Sequence, residues 1–247
     1  MISHRLYFLI TSLLYAALWI LLAMEPHDRS DWALENALVV AAAAALLFSY
    51  KRLLLSRISY TLIVMFLGLH AVGAHWTYSL VPYDQAFLGI TGYSFNGLMG
   101  WERNQYDRIV HFAFGLLLAY PVRELILRVA EAKGIWGYFL PVALTMAASM
   151  LYELAEWWAA EIFGGDLGIA FLGTQGDVWD PQKDMWLATL GALIAMGITA
   201  AINVRLQKDF AREWSESLTV KQDTPLGEDE LARMLRKQQQ AEQGKIQ

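Results

Sequence analysis

Apolar positions along the chain gather into six long stretches separated by short polar ones. They are Leu6–Met24, Trp32–Tyr50, Ile58–Leu80, Asp107 to about Leu127, Ile135 to about Ile162, and Asp184–Asn203. A helix needs about 20 apolar residues to cross the hydrocarbon of a bilayer, and each stretch qualifies. The spans must be helices, because lipid offers no partner to open backbone groups, and the alternating ten-residue strands of a barrel are absent. The pattern predicts an all-α, polytopic membrane helix bundle of six transmembrane helices over residues 1–204. The first stretch reads as a retained helix, because it is long for a signal core and no small-x-small site follows it.

Residues 205–247 are polar and predict a cytoplasmic tail. Within it, Glu228–Gln243 has helical composition with Leu231, Met234 and Leu235 at helical spacing. A solvated helix is expected there; a partner contact and a surface-lying segment are the other readings.

Basic residues near the span ends set the orientation. One set of ends carries Arg5, Lys51, Arg52, Arg57, Arg123, Arg128, Lys133, Arg205, Lys208 and Arg212; the opposite set carries only Arg29, Arg103, Arg108 and Lys183. Both termini are therefore expected in the cytoplasm of a bacterial inner membrane. Loops around Glu25–Asp31, Val81–Tyr106 and Phe163–Lys183 are expected outside. Trp32, Trp76, Trp101, Trp157, Trp158, Trp179 and Trp186 fall near the outer ends, as interface anchors do.

Composition sharpens this picture. Of 43 charged side chains, 16 lie in residues 205–247, and the chain has no cysteine. That excludes a disordered chain, a nucleic-acid binder with a basic face and a disulfide-stapled secreted domain. No repeat of 20–50 residues is visible. Gly191, Ala195 and Thr199 recur at four-residue spacing on the last span and suit close helix packing.

Ionisable groups at membrane depth cost roughly 2.5–3.5 kcal/mol each on insertion scales, so their positions carry information. His70 and His75 lie toward the outer end of the third span, but five residues turn a helix by about 140°, so only one can face a common site. In YDRIVHF, Asp107 and His111 are one turn apart on one face. Carboxylate and imidazole so placed can bind one metal, or the carboxylate can orient a histidine base. Asp107 alone is also explained as a helix-cap residue. In MLYELAEWWAAEIF, Glu153 and Glu156 share a face and repel unless a proton, a cation or a basic partner lies between them. In GTQGDVWDPQKDM, Asp177, Asp180 and Asp184 fall within eight residues; Gly173 and Gly176 allow tight turns, and an extended Asp180 is expected to lead into a helix with Pro181 in its first turn.

The orientation rests on basic residues alone, yet it puts all nine of these groups at the outer ends of four helices. A shared polar cavity is the simplest account. Histidines with several carboxylates suit Zn²⁺, Mn²⁺ or Fe²⁺ more than Ca²⁺ or K⁺. The expected metal set is His70, His75, Asp107, His111, Glu153, Glu156, Asp177, Asp180 and Asp184, and the expected catalytic set is His111, Asp107, Glu153 and Glu156. With no cysteine, any metal must be held by nitrogen and oxygen. HExxH, CxxC, paired Glu-x-x-His, Walker, dinucleotide and GxSxG motifs are all absent.

YDRIVHF, then YELAEWW, then GTQGDVWDPQKDM leading into a helix resembles the YjdF-like family of bacterial inner-membrane proteins, a conserved domain of unknown function, nearly as far as Asn203. The resemblance implies a multi-span inner-membrane protein of unassigned activity. In layout the chain is also similar to VanZ-like membrane proteins, with Asp107, His111, Glu153, Asp184 and Gly191 at the matching places; the longer acidic loop and Glu156 depart from that pattern.

Three functions remain open on these grounds. One is a metal-dependent or acid/base enzyme acting on a lipid or envelope precursor. The others are a proton- or cation-coupled transporter and a non-catalytic membrane scaffold. Two related halves, the usual mark of a carrier, are not visible.

Overall fold

The computed structural model describes residues 3–165, 174–207, 209–221 and 227–243. Gly173 and Lys208, both used above, lie outside them. Ten α-helices occur among the described residues: α1 (His4–Ala23), α2 (Arg29–Ser49), α3 (Arg57–His75), α4 (Tyr83–Thr91), α5 (Phe95–Met99), α6 (Tyr106–Leu125), α7 (Trp136–Phe163), α8 (Asp180–Leu206), α9 (Phe210–Ser217) and α10 (Glu228–Gln243). One π-helical turn, Ile126–Ala130, extends α6. Six of the helices, α1, α2, α3, α6, α7 and α8, are long and apolar enough to span a bilayer.

Local chemistry explains where the spans begin. Ser3 accepts from the Leu6 N–H, Asp28 from the N–H groups of Ser30 and Asp31, and Ser56 from the Ser59 N–H. Each satisfies donors that the first helical turn leaves open.

Helix α8 departs from expectation. It begins at Asp180, which is helical rather than extended, with Trp179 as the cap residue and Pro181 in the first turn. The Asp180 N–H bonds the Asp177 carbonyl at 3.2 Å, and this turn starts the helix four residues ahead of the expected span. The loop between α3 and α6 also differs, since it folds into the two short helices α4 and α5.

Helix α6 is the centre of the bundle and packs on α3, α7 and α8. Its closest neighbour is α8, and glycine is the reason. A Cβ at Gly115 would collide with the Ala188 carbonyl oxygen, and one at Gly191 with the Phe112 carbonyl oxygen. Ala119, Ala188 and Ala192 are fully buried along the same seam. Small residues let two backbones approach where lipid gives no hydrophobic drive between helices.

The spans alternate in direction. The ends near Ala23, Arg29, His75, Tyr106, Phe163 and Asp180 form an acidic end, and the opposite ends form a basic one. At the basic end Glu124 accepts from Ser59 Oγ at 2.5 Å and pairs with Arg128 at 3.1 Å. There α9 folds back on the bundle: Trp214 lies 5.7 Å from the Tyr138 ring, and the Gly134 N–H donates to Glu213.

Helix α1 buries no residue and leans on α3. Leu14 is 65% exposed and Phe48 on α2 is 88% exposed. Such continuous apolar surface is what lipid covers in a spanning bundle.

Candidate functional site

The start of α6 is fixed before it carries chemistry. Asn104 Oδ1 accepts from the Tyr106 N–H at 2.9 Å, the Gln105 N–H donates to Tyr83 Oη at 3.0 Å, and Tyr106 Oη donates to the Leu69 carbonyl. One turn on, Asp107 and His111 share a face as the spacing requires. His111 Nε2 stands 3.5 Å from Asp107 Oδ1 and 3.5 Å from Glu153 Oε1 on α7. Those separations are too long for strong hydrogen bonds. Asp184 approaches from α8, and ligand atoms of Asp107, His111 and Asp184 all lie within 4.8 Å of one another. The glycine seam between α6 and α8, one to two turns deeper, allows that approach.

Glu153 and Glu156, one turn apart on α7, are both buried. Behind them, Tyr152 Oη donates to Glu35 Oε2 at 3.0 Å, which brings α2 into the cluster. The Asp184 Oδ1 and Glu153 Oε1 atoms are buried and have no hydrogen-bond partner. An unpaired buried carboxylate oxygen is costly, so this side of the cluster calls for a proton or a cation.

Asp177 and Asp180 do different work. Asp180 Oδ1 is held by Arg103 Nη2 at 2.5 Å and Arg108 Nη2 at 2.7 Å. Asp177 Oδ2 is held by Arg108 at 2.5 Å and Lys183 at 2.5 Å. Arg103 also donates to the Thr174 carbonyl. Lys183, the Trp179 N–H and Arg108 together keep the Asp177 carboxyl well below the usual carboxylate range. These ion pairs clasp residues 174–180 onto the head of α6. They also occupy the two nearest arginines, leaving the inner carboxylates without them.

The other two histidines of the expected set are engaged elsewhere. His70 contacts the Glu35 carbonyl through Nε2 at 3.2 Å and Tyr78 Oη through Nδ1. His75 contacts the Leu22 carbonyl through Nδ1 at 2.7 Å and so tethers α3 to the end of α1. His70 therefore borders the cluster through Glu35, and His75 stands apart from it.

A cavity of about 460 Å³ opens between α7 and α8. Met150, Leu154, Trp157, Pro181 and Met185 give it apolar walls, and Glu153, Asp177 and Gln182 give it polar ones. Trp157 is half exposed at its rim. Glu153 is the residue common to the cavity and the cluster.

The nine expected residues thus separate into groups. Asp107, His111, Glu153, Glu156 and Asp184 converge, Asp177 and Asp180 form the clasp, and His70 and His75 bond to backbone carbonyls. Sequence reasoning missed Glu35, Tyr78, Tyr152 and the ion-pairing role of Arg103 and Arg108. Glu35 had a signal, as an ionisable group inside the second apolar stretch. The tyrosines had none.

A family model described as predicted membrane protein, DUF2238, matches residues 7–205 and so spans every residue of the cluster. The chain is 36% identical over 188 residues to inner membrane protein YjdF of Escherichia coli (strain K12), covering 76% of this chain and 86% of that protein. No solved structure matches the chain.

Proposed function

We propose that this chain, which belongs to the DUF2238 family of predicted membrane proteins, holds a divalent cation between Asp107, His111 and Asp184 for chemistry on a lipid or envelope precursor. It is a multi-pass inner-membrane protein. The excess of Lys and Arg at the opposite end supports an acidic end facing outward, with both termini in the cytoplasm.

One observation carries the reading: three ligand atoms from α6 and α8 lie within 4.8 Å, beside buried carboxylate oxygens that nothing in the described chain satisfies. One imidazole with carboxylates suits Zn²⁺ or Mn²⁺. A cation held there supplies positive charge beside a phosphoryl or carbonyl oxygen of the substrate. Glu153 reaches into the cavity and is placed to take or give a proton; Glu156, behind it, shares that proton. The apolar walls of the cavity suit an acyl or isoprenyl chain, with the polar head directed toward Glu153.

The test is elemental analysis of the purified full chain and of His111→Ala. About one equivalent of metal in the native protein and little in the variant supports the reading. A metal-free native protein removes it.

A proton or cation relay is the second reading. It is favoured by Ser149, one turn below Glu153, whose hydroxyl is buried and has no hydrogen-bond partner. Ion flux in vesicles that is lost with Glu153→Gln would support it.

A further inference from the structure

The segment between α3 and α6 is unlike a water-exposed loop. Residues 85–101 contain no Asp, Glu, Lys, Arg or His. The segment is nonetheless ordered by its own contacts. The Ser94 hydroxyl donates to Asp84 Oδ2 at 2.9 Å, and the Asn96 N–H donates to Asp84 Oδ1 at 2.8 Å. Tyr83 Oη donates to Asn96 Oδ1 at 2.6 Å. Tyr83, Asp84, Ser94 and Asn96 thereby satisfy one another within the hairpin.

Its apolar side chains separate into a partly buried set and an exposed one. Phe87, Phe95 and Trp101 meet edge to face, with ring centroids 5.3 and 5.5 Å apart. Leu88, Ile90, Tyr93, Leu98 and Met99 are exposed; Ile90 is 86% exposed and Leu98 65%. These exposures equal those of the bilayer-facing side chains on the long helices, such as Phe48 and Leu14. Single exposed apolar residues are ordinary, but a contiguous uncharged set of them marks a surface that something covers.

The hairpin's height identifies the cover. Asn104 Nδ2 donates to the Val81 carbonyl at 2.9 Å, and Tyr83 Oη receives the Gln105 N–H, so the hairpin is clipped to the residues that open α6. It lies level with a span end, where an apolar helix face with Tyr and Trp beside it suits the boundary of acyl chains and headgroups.

We infer that the α4–α5 hairpin is a membrane-interface anchor, with its exposed apolar side chains, Ile90 and Leu98 among them, seated in lipid. Asp107 follows two residues after the clip at Gln105, so the anchor also fixes the site at headgroup depth. Substrate headgroups then meet the carboxylates without leaving the leaflet.

The cysteine-free chain makes the test direct. Ile90→Cys, Leu98→Cys and, as an aqueous reference, Glu102→Cys are introduced singly into the full chain, labelled with a nitroxide, and reconstituted into phosphatidylglycerol–phosphatidylcholine vesicles. Positions 90 and 98 already face outward, so the label requires no repacking, and two sites on different helices guard against one variant failing to fold. Collision with oxygen, which concentrates in lipid, should exceed collision with a water-soluble nickel chelate several-fold at 90 and 98, and the ratio should invert at 102. Two outcomes overturn the proposal. If the nickel chelate reaches 90 and 98 as freely as 102, the hairpin is solvated. If both reagents are excluded, a second copy or another protein covers it.

Discussion

The Tyr152 hydroxyl on α7 donates a 3.0 Å hydrogen bond to the Glu35 carboxylate on α2. Helix α2 packs mainly on α3, so this bond is its direct polar link to the acidic cluster. Glu35→Gln and Tyr152→Phe should each lower the melting temperature of the detergent-solubilised protein, by roughly 1 kcal/mol of stability. The double variant should lose less than the sum, and strict additivity would show that the bond carries no coupling.

The cluster also predicts a linkage to metal. Adding Mn²⁺ or Zn²⁺ should raise the melting temperature of the native chain, by about 2.7 kcal/mol at one hundred times the dissociation constant. Asp184→Asn should abolish most of that rise while leaving the metal-free protein folded. An undiminished rise in the variant would place the cation elsewhere.

His70 and His75 should behave unlike His111. Both bond backbone carbonyls, so His70→Asn and His75→Asn should alter stability and leave metal content near native. Metal content measured beside His111→Ala separates the three. A loss at His75 equal to that at His111 would contradict the arrangement.

Acidification should act through the clasp. The Asp177 carboxyl lies below its ordinary value when folded, chiefly through Lys183. Its contribution is therefore complete above the unfolded value of about 4 and is lost as pH falls through the lower folded value. Cleavage by an acid-active protease near residues 174–180 should rise below about pH 4 in the native chain. In Asp177→Asn, cleavage there by a protease active at neutral pH should already exceed that of the native chain at the same pH, and a variant that stays resistant would refute the clasp.

The seam between α6 and α8 should tolerate nothing larger than glycine at two points. Gly191→Val forces a side chain into the Phe112 carbonyl and should cost at least about 1–3 kcal/mol, read as a lost monodisperse peak. Gly197 on the same helix has open space beside it, so Gly197→Ala should be close to neutral.

The sequence made the convergent residues visible because charge is scarce in the spans. Asp107, His111, Glu153, Glu156 and Asp184 stand out against apolar neighbours, and helical spacing alone paired Asp107 with His111. The same rule applied to Glu35, an ionisable group inside the second apolar stretch, but its partner Tyr152 on α7 is not visible from spacing. The separation between α6 and α8 was half legible. Gly191, Ala195 and Thr199 announced close packing, whereas which helix would meet them was a tertiary fact. The roles of His70 and His75 depended on carbonyls of α2 and α1 that no spacing on α3 reveals. The hairpin was hidden because nine- and five-residue helices fall below the length at which apolar periodicity identifies an element.

The glycine seam has a mechanical consequence. Bilayers differ in thickness, and a spanning protein answers by tilting or shifting its helices. Helix α1 buries nothing and α2 packs mainly on α3, so these two can absorb more of the strain than the α6–α8 pair. Backbone pressed against backbone at Gly115 and Gly191 leaves α6 and α8 almost no slack. The gap between Asp107 and Asp184 therefore behaves as a fixed gauge, held constant while the outer helices adjust to whatever membrane surrounds them.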